Sequence, residues 1–97
     1  MNLLVTYDVN TMTSEGRRRL RHVARICEGY GQRVQFSVFE VRCSRTSYAR
    51  MVQRLEGAID SATDSPRVYN LGSTGFSEAR IIGQSRDLPS HSGGWTL

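Results

Sequence analysis

Asp8 is the side chain best placed to do chemistry in this chain of 97 residues. It follows the apolar run "LLVTY", where a buried and unpaired carboxylate would cost several kcal/mol. One carboxylate is a poor active site by itself, because acid–base catalysis and two-metal hydrolysis need several converging oxygen atoms. From the residues alone, the simpler interpretation is that Asp8 caps the turn "DVNT" through an Asx-type hydrogen bond.

A second candidate is a run of four arginines within five residues, Arg17, Arg18, Arg19 and Arg21. Guanidinium groups suit bidentate contacts with phosphate, and too few acids lie nearby on the same helix to neutralise this run. The ordinary alternative is a solvated helix face. Arg19 differs from the others, because it is adjacent to Leu20 and can turn inward to pair with an acid.

Three further residues could support a site, although packing explains them as well. Tyr7 and Phe39 are predicted to be core aromatics rather than platforms for stacked bases, since the signature of RNA-recognition strands is missing. Ser37 has no accompanying histidine and is therefore a poor nucleophile, so we predict a hydrogen-bonding or packing role. Cys27 and Cys43 lack metal-type spacing and are predicted to pack without forming a disulfide.

The charge of the chain is unevenly distributed. All thirteen basic side chains are arginine; nine lie in residues 1–50 beside four acids, and the remainder holds four arginines and five acids. A sequence pI near 9.7 with the positive charge in one half is typical of proteins that bind nucleic acid. The mean hydropathy is -0.42, and no apolar run approaches the ~20 residues of a membrane span. We therefore expect a cytoplasmic protein without a membrane partner.

Hydrophobic spacing predicts the elements that must position these residues. Residues 2–9 are predicted to form a central strand, and "SEGRRRLRHVARICEGYG" an amphipathic helix. The stretch "QRVQFSVFEVRC" changes phase, which predicts two short strands joined by a bulge or tight hairpin near Gln35–Val38. A second helix is predicted in "SRTSYARMVQRLEGAID", and strands in "RVYNLG" and "ARIIG".

The resulting order predicts an α+β, ferredoxin-like fold. It is βαββαβ with an extra C-terminal strand, in which two helices cover one face of an antiparallel sheet. Residues 1–83 are expected to form this single domain, and residues 84–97 a flexible tail. The uncovered sheet face and the extra strand both favour a homodimer, because large bare apolar patches are rare on monomers.

Several motifs resemble one family. "YDV" at the end of the first strand, the arginine-rich helix, "YGQRVQFSVFE" and "IDSATDSPRVYNLG" are similar to the second CRISPR-associated adaptation protein. These motifs run in order through residues 1–83, and the block "RVQ-x-SVFE" together with "D-S-x-R-x-Y-x-L" is the specific part. Residues after Gly83 match no pattern of the family.

The resemblance implies a homodimer in which the two Asp8 side chains face each other and share Mg²⁺ or another divalent cation. It implies nucleic-acid-binding roles for Arg17, Arg19 and Arg33, and it includes Ser37 and Phe39 in the matching block. The implied activity is metal-dependent endonuclease cleavage of RNA or double-stranded DNA. The implied partner is the CRISPR adaptation integrase, to which the dimer would present DNA during spacer acquisition.

Two functions follow that do not exclude each other, and a third is an alternative. The chain can be a DNA-binding scaffold for the integrase, a magnesium-dependent phosphodiesterase, or both. The alternative is a stand-alone metal-dependent or toxin-like ribonuclease, or an RNA-binding domain, because small basic ferredoxin-like domains support these functions also.

Overall fold

The computed structural model of the chain describes residues 1–9, 11–73, 75–76 and 79–83. Six elements follow one another along the chain: strand β1 (Asn2–Asp8), helix α1 (Ser14–Glu28), strand β2 (Gly31–Gln35), strand β3 (Val38–Arg42), helix α2 (Arg45–Ala58) and strand β4 (Ser65–Asn70). The strands form one antiparallel sheet in the order β2-β3-β1-β4. This is the ferredoxin-like arrangement that the sequence predicts, so the α+β fold class is confirmed.

One face of the sheet and the two helices enclose a single apolar core. Each helix begins at a side chain that caps it: the Thr13 hydroxyl accepts from the Gly16 N–H at 3.0 Å, and the Ser44 hydroxyl accepts from the Ser47 N–H at 3.1 Å. The core consists of alternate residues of β1 and β3 and the apolar stripes of both helices: Leu3, Val5, Tyr7, Phe39, Val41, Leu20, Val23, Ala24, Cys27, Met51 and Leu55. These residues alternate along the strands and recur every three or four positions along the helices, which is the pattern that predicted the elements.

The apolar alternation changes phase between β2 and β3 because the chain forms a tight hairpin there, as the sequence predicts. A two-residue turn, Phe36–Ser37, joins the strands, and their register shifts between Arg33 and Gln35. Gly31 at the start of β2 lies so close to β3 that a Cβ atom there would clash with the carbonyl oxygen of Glu40. Two short strands with a bulge therefore replace one long strand.

The opposite face of the sheet, which we call the helix-free face, is covered differently from the prediction. The extra strand expected in "ARIIG" is not formed, since residues 79–83 have no strand pairing. Instead, Phe76 is buried, and it borders a cavity of about 470 Å³ together with Leu4, Glu40 and Ile81. Residues 79–83 thus lie against the face of the sheet. A further strand could pair only at an edge of the sheet.

Three smaller predictions concern cysteines, the tail and membranes. Cys27 is buried and Cys43 is half-buried, and both are free thiols, as predicted. Burial, helped by the charge of Glu28, raises the pKa of Cys27 to about 12, which fits a packing role. The predicted tail over residues 84–97 lies outside the described residues. Within the described part of the chain, neither helix has the length and hydrophobicity needed to cross a bilayer.

Candidate functional site

Asp8 is the last residue of β1, and its side chain is exposed. It lies opposite Ser65, the first residue of β4. Side chains alternate along a strand, so Asp8 projects to the same side as Leu4 and Thr6, whereas Tyr7 projects into the core. Asp8 is therefore an accessible carboxylate at the end of a buried central strand, on the helix-free side of the sheet.

Directly beneath this strand end lies a second carboxylate, Asp64, whose side chain is fully buried. Its Oδ2 atom accepts hydrogen bonds from the Tyr7 hydroxyl at 2.6 Å, the Arg19 Nε at 2.8 Å and the Asp60 backbone N–H at 3.0 Å. Its Oδ1 atom accepts from the Thr63 hydroxyl at 3.3 Å. We call Tyr7, Arg19, Asp60 and Asp64 the Asp64 network.

The electrostatics of the Asp64 network favour the charged form of Asp64. Burial by itself would raise the pKa of this carboxyl, but the hydrogen bonds from Tyr7, Asp60 and Arg19 and the charge of Arg19 lower it below its ordinary value. The pKa of the Tyr7 hydroxyl is raised by burial and by its hydrogen bond to Asp64. Tyr7 therefore remains a protonated donor, and Asp64 remains an ionised acceptor.

The Asp64 network joins four parts of the chain. Tyr7 belongs to β1, Arg19 to α1, Asp60 to the loop after α2, and Asp64 immediately precedes β4. Tyr7 immediately precedes Asp8, and Asp64 immediately precedes Ser65. Asp8 and Ser65 are paired in the sheet. The network consequently fixes the end of β1 against the beginning of β4, which is where Asp8 is displayed.

The predicted arginines fall into two groups. Arg17, Arg18 and Arg21 are exposed on α1, and with the exposed Arg25 they form what we call the α1 arginine surface. Arg17 also donates from Nη1 to the Thr11 carbonyl at 2.9 Å, which ties the loop after β1 to the helix. Arg19, by contrast, pairs with Asp64, so the inward orientation that its neighbour Leu20 suggested is the one observed.

Arg33, the remaining predicted arginine, lies at the β2–β3 turn. Its Nε and Nη2 atoms donate to the Phe36 carbonyl at 2.8 and 2.5 Å. Its guanidinium carbon lies 4.9 Å from the centre of the Phe36 ring and 5.8 Å from that of Phe39. Arg33 thus stabilises the turn as well as contributing a positive charge near the edge of the sheet.

The other predicted residues support the strand end from within. Tyr7 and Phe39 are buried core aromatics, as predicted. Ser37 contributes its backbone: its carbonyl accepts the Tyr7 N–H at 2.9 Å, which continues the pairing of β1 and β3 into the turn.

Asp64 is the residue that sequence reasoning missed. Its segment "SATDSP" has the composition of a loop, and loops are usually solvated, so a buried carboxylate there was not expected. The available signal was on α1: Arg19 is three residues after the buried Gly16 and four before the buried Val23, so it lies on the buried face of the helix. A buried arginine requires an acidic partner.

The residues of one chain give a partial fit to a divalent cation. Magnesium prefers oxygen ligands and commonly retains several waters, so an exposed carboxylate such as Asp8 is a suitable ligand. However, the described ranges contain no group of three or more His, Cys, Asp or Glu side chains that could hold a metal ion. Among the described residues, Asp8 is therefore a single candidate ligand and not a complete magnesium site.

Comparisons with known proteins agree on one family. Residues 1–79 match the family model of the CRISPR associated protein Cas2. The CRISPR-associated endoribonuclease Cas2 of Chlorobaculum tepidum is 52% identical over 90 residues, covering 91% of this chain and 94% of the relative. The CRISPR-associated endonuclease Cas2 of Halalkalibacterium halodurans is 43% identical over 83 residues, 86% of each chain. The crystal structure of Streptococcus pyogenes Cas2 at pH 6.5 matches with a TM-score of 0.82 and 49% identity, covering 86% of this chain and all of that one (100%).

The first prediction concerns the buried carboxylate. Asp64→Asn keeps the shape but replaces an acceptor with an amide that faces the donors of Tyr7 and Arg19. We expect the free energy of unfolding, measured by urea denaturation, to fall by about 2–3 kcal/mol. Asp60→Asn is the matched control because the Asp60 side chain is exposed, and it should change stability by about 0.5 kcal/mol or less. Equal effects of the two substitutions would contradict the role of Asp64.

The difference in free energy of unfolding between the wild type and Asp64→Asn should depend on pH. Because the pKa of Asp64 is lowered in the folded chain, the unfolded chain takes up the proton first as the pH falls. The stability advantage of the wild type over Asp64→Asn should be complete above the ordinary aspartate pKa of about 4 and decline as the pH drops below it. A difference that grows toward acidic pH would contradict this.

Proposed function

The chain belongs to the CRISPR-associated Cas2 family, and we propose that it acts as a pair of identical chains in nucleic-acid cleavage and DNA binding during CRISPR adaptation. One observation carries the proposal: each chain holds an exposed carboxylate, Asp8, on a strand end that the Asp64 network fixes from below. A carboxylate that is both accessible and held in place is what a shared metal site requires.

The helix-free face supports the pairing of two chains. Apart from the part covered by Phe76, it carries exposed apolar side chains: Tyr69, opposite Leu4, is 44% exposed, and Ile82, in residues 79–83, is 84% exposed. Such surface is commonly buried against a partner. Since Asp8 lies on the same side of the sheet, a two-fold axis through this face would bring two Asp8 carboxylates toward each other.

The two Asp8 residues would hold Mg²⁺ or another divalent cation, because two like-charged carboxylates repel each other unless a cation lies between them. When bound, the ion supplies Lewis acidity and an activated water for phosphodiester hydrolysis. The chain itself supplies the remaining parts. Tyr7 and Asp64 hold the strand end, and Asp8 contributes its charge at a defined position.

The α1 arginine surface supports binding to a phosphate backbone. Arg18, Arg21 and Arg25 are spaced three and four residues apart, so they follow one side of the helix. Contacts of this kind recognise the backbone rather than the base sequence. We propose that this surface and Arg33 bind double-stranded DNA, with RNA as a further substrate, and that the dimer presents the DNA to the CRISPR adaptation integrase. Arg19 acts through Asp64 and positions Asp8.

Substitution of Asp8 separates cleavage from scaffolding. Asp8→Ala should lower magnesium-dependent cleavage of RNA and DNA at least about 100-fold, because loss of even outer residues of metal sites costs 10–100-fold. Spacer integration in the presence of the integrase should persist, since Asp8 contributes nothing to the α1 arginine surface. Cleavage assays with purified protein and integration assays with its partner measure the two functions.

Glu56→Gln is the control for this experiment, because it removes an exposed carboxylate from α2, which packs on the opposite side of the sheet from Asp8. It should leave both functions unchanged. If Asp8→Ala cleaves as fast as the wild type, the assignment of Asp8 is wrong. If the wild type cleaves neither nucleic acid with any divalent ion, the enzymatic part of the proposal is wrong.

The α1 arginine surface can be tested by the salt dependence of DNA binding. Each phosphate contact contributes about 0.9 to the slope of log affinity against log salt, so Arg18→Gln with Arg21→Gln should flatten the slope by up to about 1.8. Arg45→Gln with Arg50→Gln removes the same charge from exposed positions on α2 and should leave most of the slope intact. Equal slopes for the two double variants would contradict the assignment to α1.

A further inference from the structure

An exposed aromatic ring, Phe36, lies at the tip of the β2–β3 turn. Its side chain is 64% exposed, whereas Phe39, three residues further on, is fully buried. Burying a phenylalanine is worth about 1.5–3 kcal/mol, so an aromatic ring left in water on a short turn contributes little to folding. The core gives no reason for an aromatic residue at this position.

The ring is held in place by Arg33. Two nitrogen atoms of Arg33 donate to the Phe36 carbonyl, at 2.8 and 2.5 Å, and the guanidinium lies 4.9 Å from the ring centre. The same guanidinium lies 5.8 Å from the centre of the buried Phe39 ring. The arginine therefore links the exposed ring to a core ring, and it places a positive charge next to the exposed one.

The backbone of this turn is close to the end of β1. The pairing of β1 and β3 ends at Thr6 opposite Val38, and the hydrogen bond from the Tyr7 N–H to the Ser37 carbonyl, 2.9 Å, continues it by one step. Phe36 is the chain neighbour of Ser37, as Asp8 is the chain neighbour of Tyr7. The backbone path between Phe36 and Asp8 is about 12 Å, from one strand spacing and two Cα steps.

We propose that Phe36, supported by Arg33, is a stacking platform for an unpaired nucleobase of the strand bound at Asp8. An exposed aromatic ring next to a cation can stack with any base, and base–aromatic stacking is tolerant of sequence. The bases of an intact duplex are already stacked on their neighbours, so the ligand is a single-stranded segment of RNA or DNA. The inference rests on the proposed function and specifies which form of nucleic acid this part of the site recognises.

Two substitutions of Phe36 test the platform. Phe36→Leu removes the ring but keeps an apolar side chain, and Phe36→Trp keeps an aromatic face. With a fluorescein-labelled single-stranded DNA in the presence of a chelator, anisotropy should show about 10-fold weaker binding for Phe36→Leu and wild-type binding for Phe36→Trp. Affinity for a duplex of the same length, and the salt dependence of single-strand binding, should be unchanged because no charge is lost.

Photocrosslinking locates the contact directly. A single strand containing 5-bromouracil should crosslink to the tryptic peptide of residues 34–42, and fragmentation should assign the crosslink to Phe36 instead of the buried Phe39. Crosslinking to other peptides alone would contradict the proposal. Urea denaturation of both variants, expected to match the wild type, shows that a loss of binding is not a loss of folding.

The outcomes also separate this inference from the function on which it rests. Equal single-strand affinity of Phe36→Leu and the wild type overturns the platform while leaving the proposed function in place. A change in the oligomeric mass of Phe36→Leu, measured by sedimentation, overturns it also, because Phe36 would then be a contact between protein chains. A wild type that binds neither the single strand nor the duplex contradicts the proposed function itself.

Discussion

Asp64 accepts hydrogen bonds from a strand, a helix and a loop while lying entirely within the protein, and the geometry of the candidate site depends on it. A buried carboxylate without partners would be protonated or would destabilise the fold. Here the Tyr7 hydroxyl, the Arg19 guanidinium and the Asp60 N–H all point to one oxygen atom, Oδ2. These donors keep the carboxylate charged, and the charged carboxylate in turn keeps the donors in position.

This arrangement assigns different tasks to neighbouring residues. Tyr7 and Asp64 are buried and structural, whereas Asp8 and Ser65, one residue along each strand, are exposed. The alternation of side chains in a strand allows rigid packing on one side and accessible chemistry on the other. A similar division holds at the β2–β3 turn, where Arg33 lies near both the buried Phe39 and the exposed Phe36.

The sequence was sufficient to predict the six elements from β1 to β4, their order and the hairpin, because each of these depends on local spacing of apolar residues. The buried Tyr7 and Phe39 were predicted for the same reason. Asp64 was not, since its partner Arg19 is 45 residues away and a loop composition conceals burial. The prediction of a strand in "ARIIG" was wrong for a related reason. Apolar spacing indicates that a segment is buried, but it does not show whether the segment pairs at the edge of a sheet or packs on its face. In the proposed dimer, the arrangement of the two Asp8 residues would depend on a second chain, which the spacing of residues in one sequence does not describe.

The Asp64 network fixes the strand end that displays Asp8. Native-state hydrogen exchange of the wild type and Asp64→Asn tests it most directly, because local opening is resolved residue by residue. The substitution should speed the exchange of amides near Asp8 and Ser65 most strongly, while amides at the other end of the same strand pair, near Leu3 and Asn70, should retain most of their protection. Equal loss of protection along both strands, or no loss near Asp8, would contradict it.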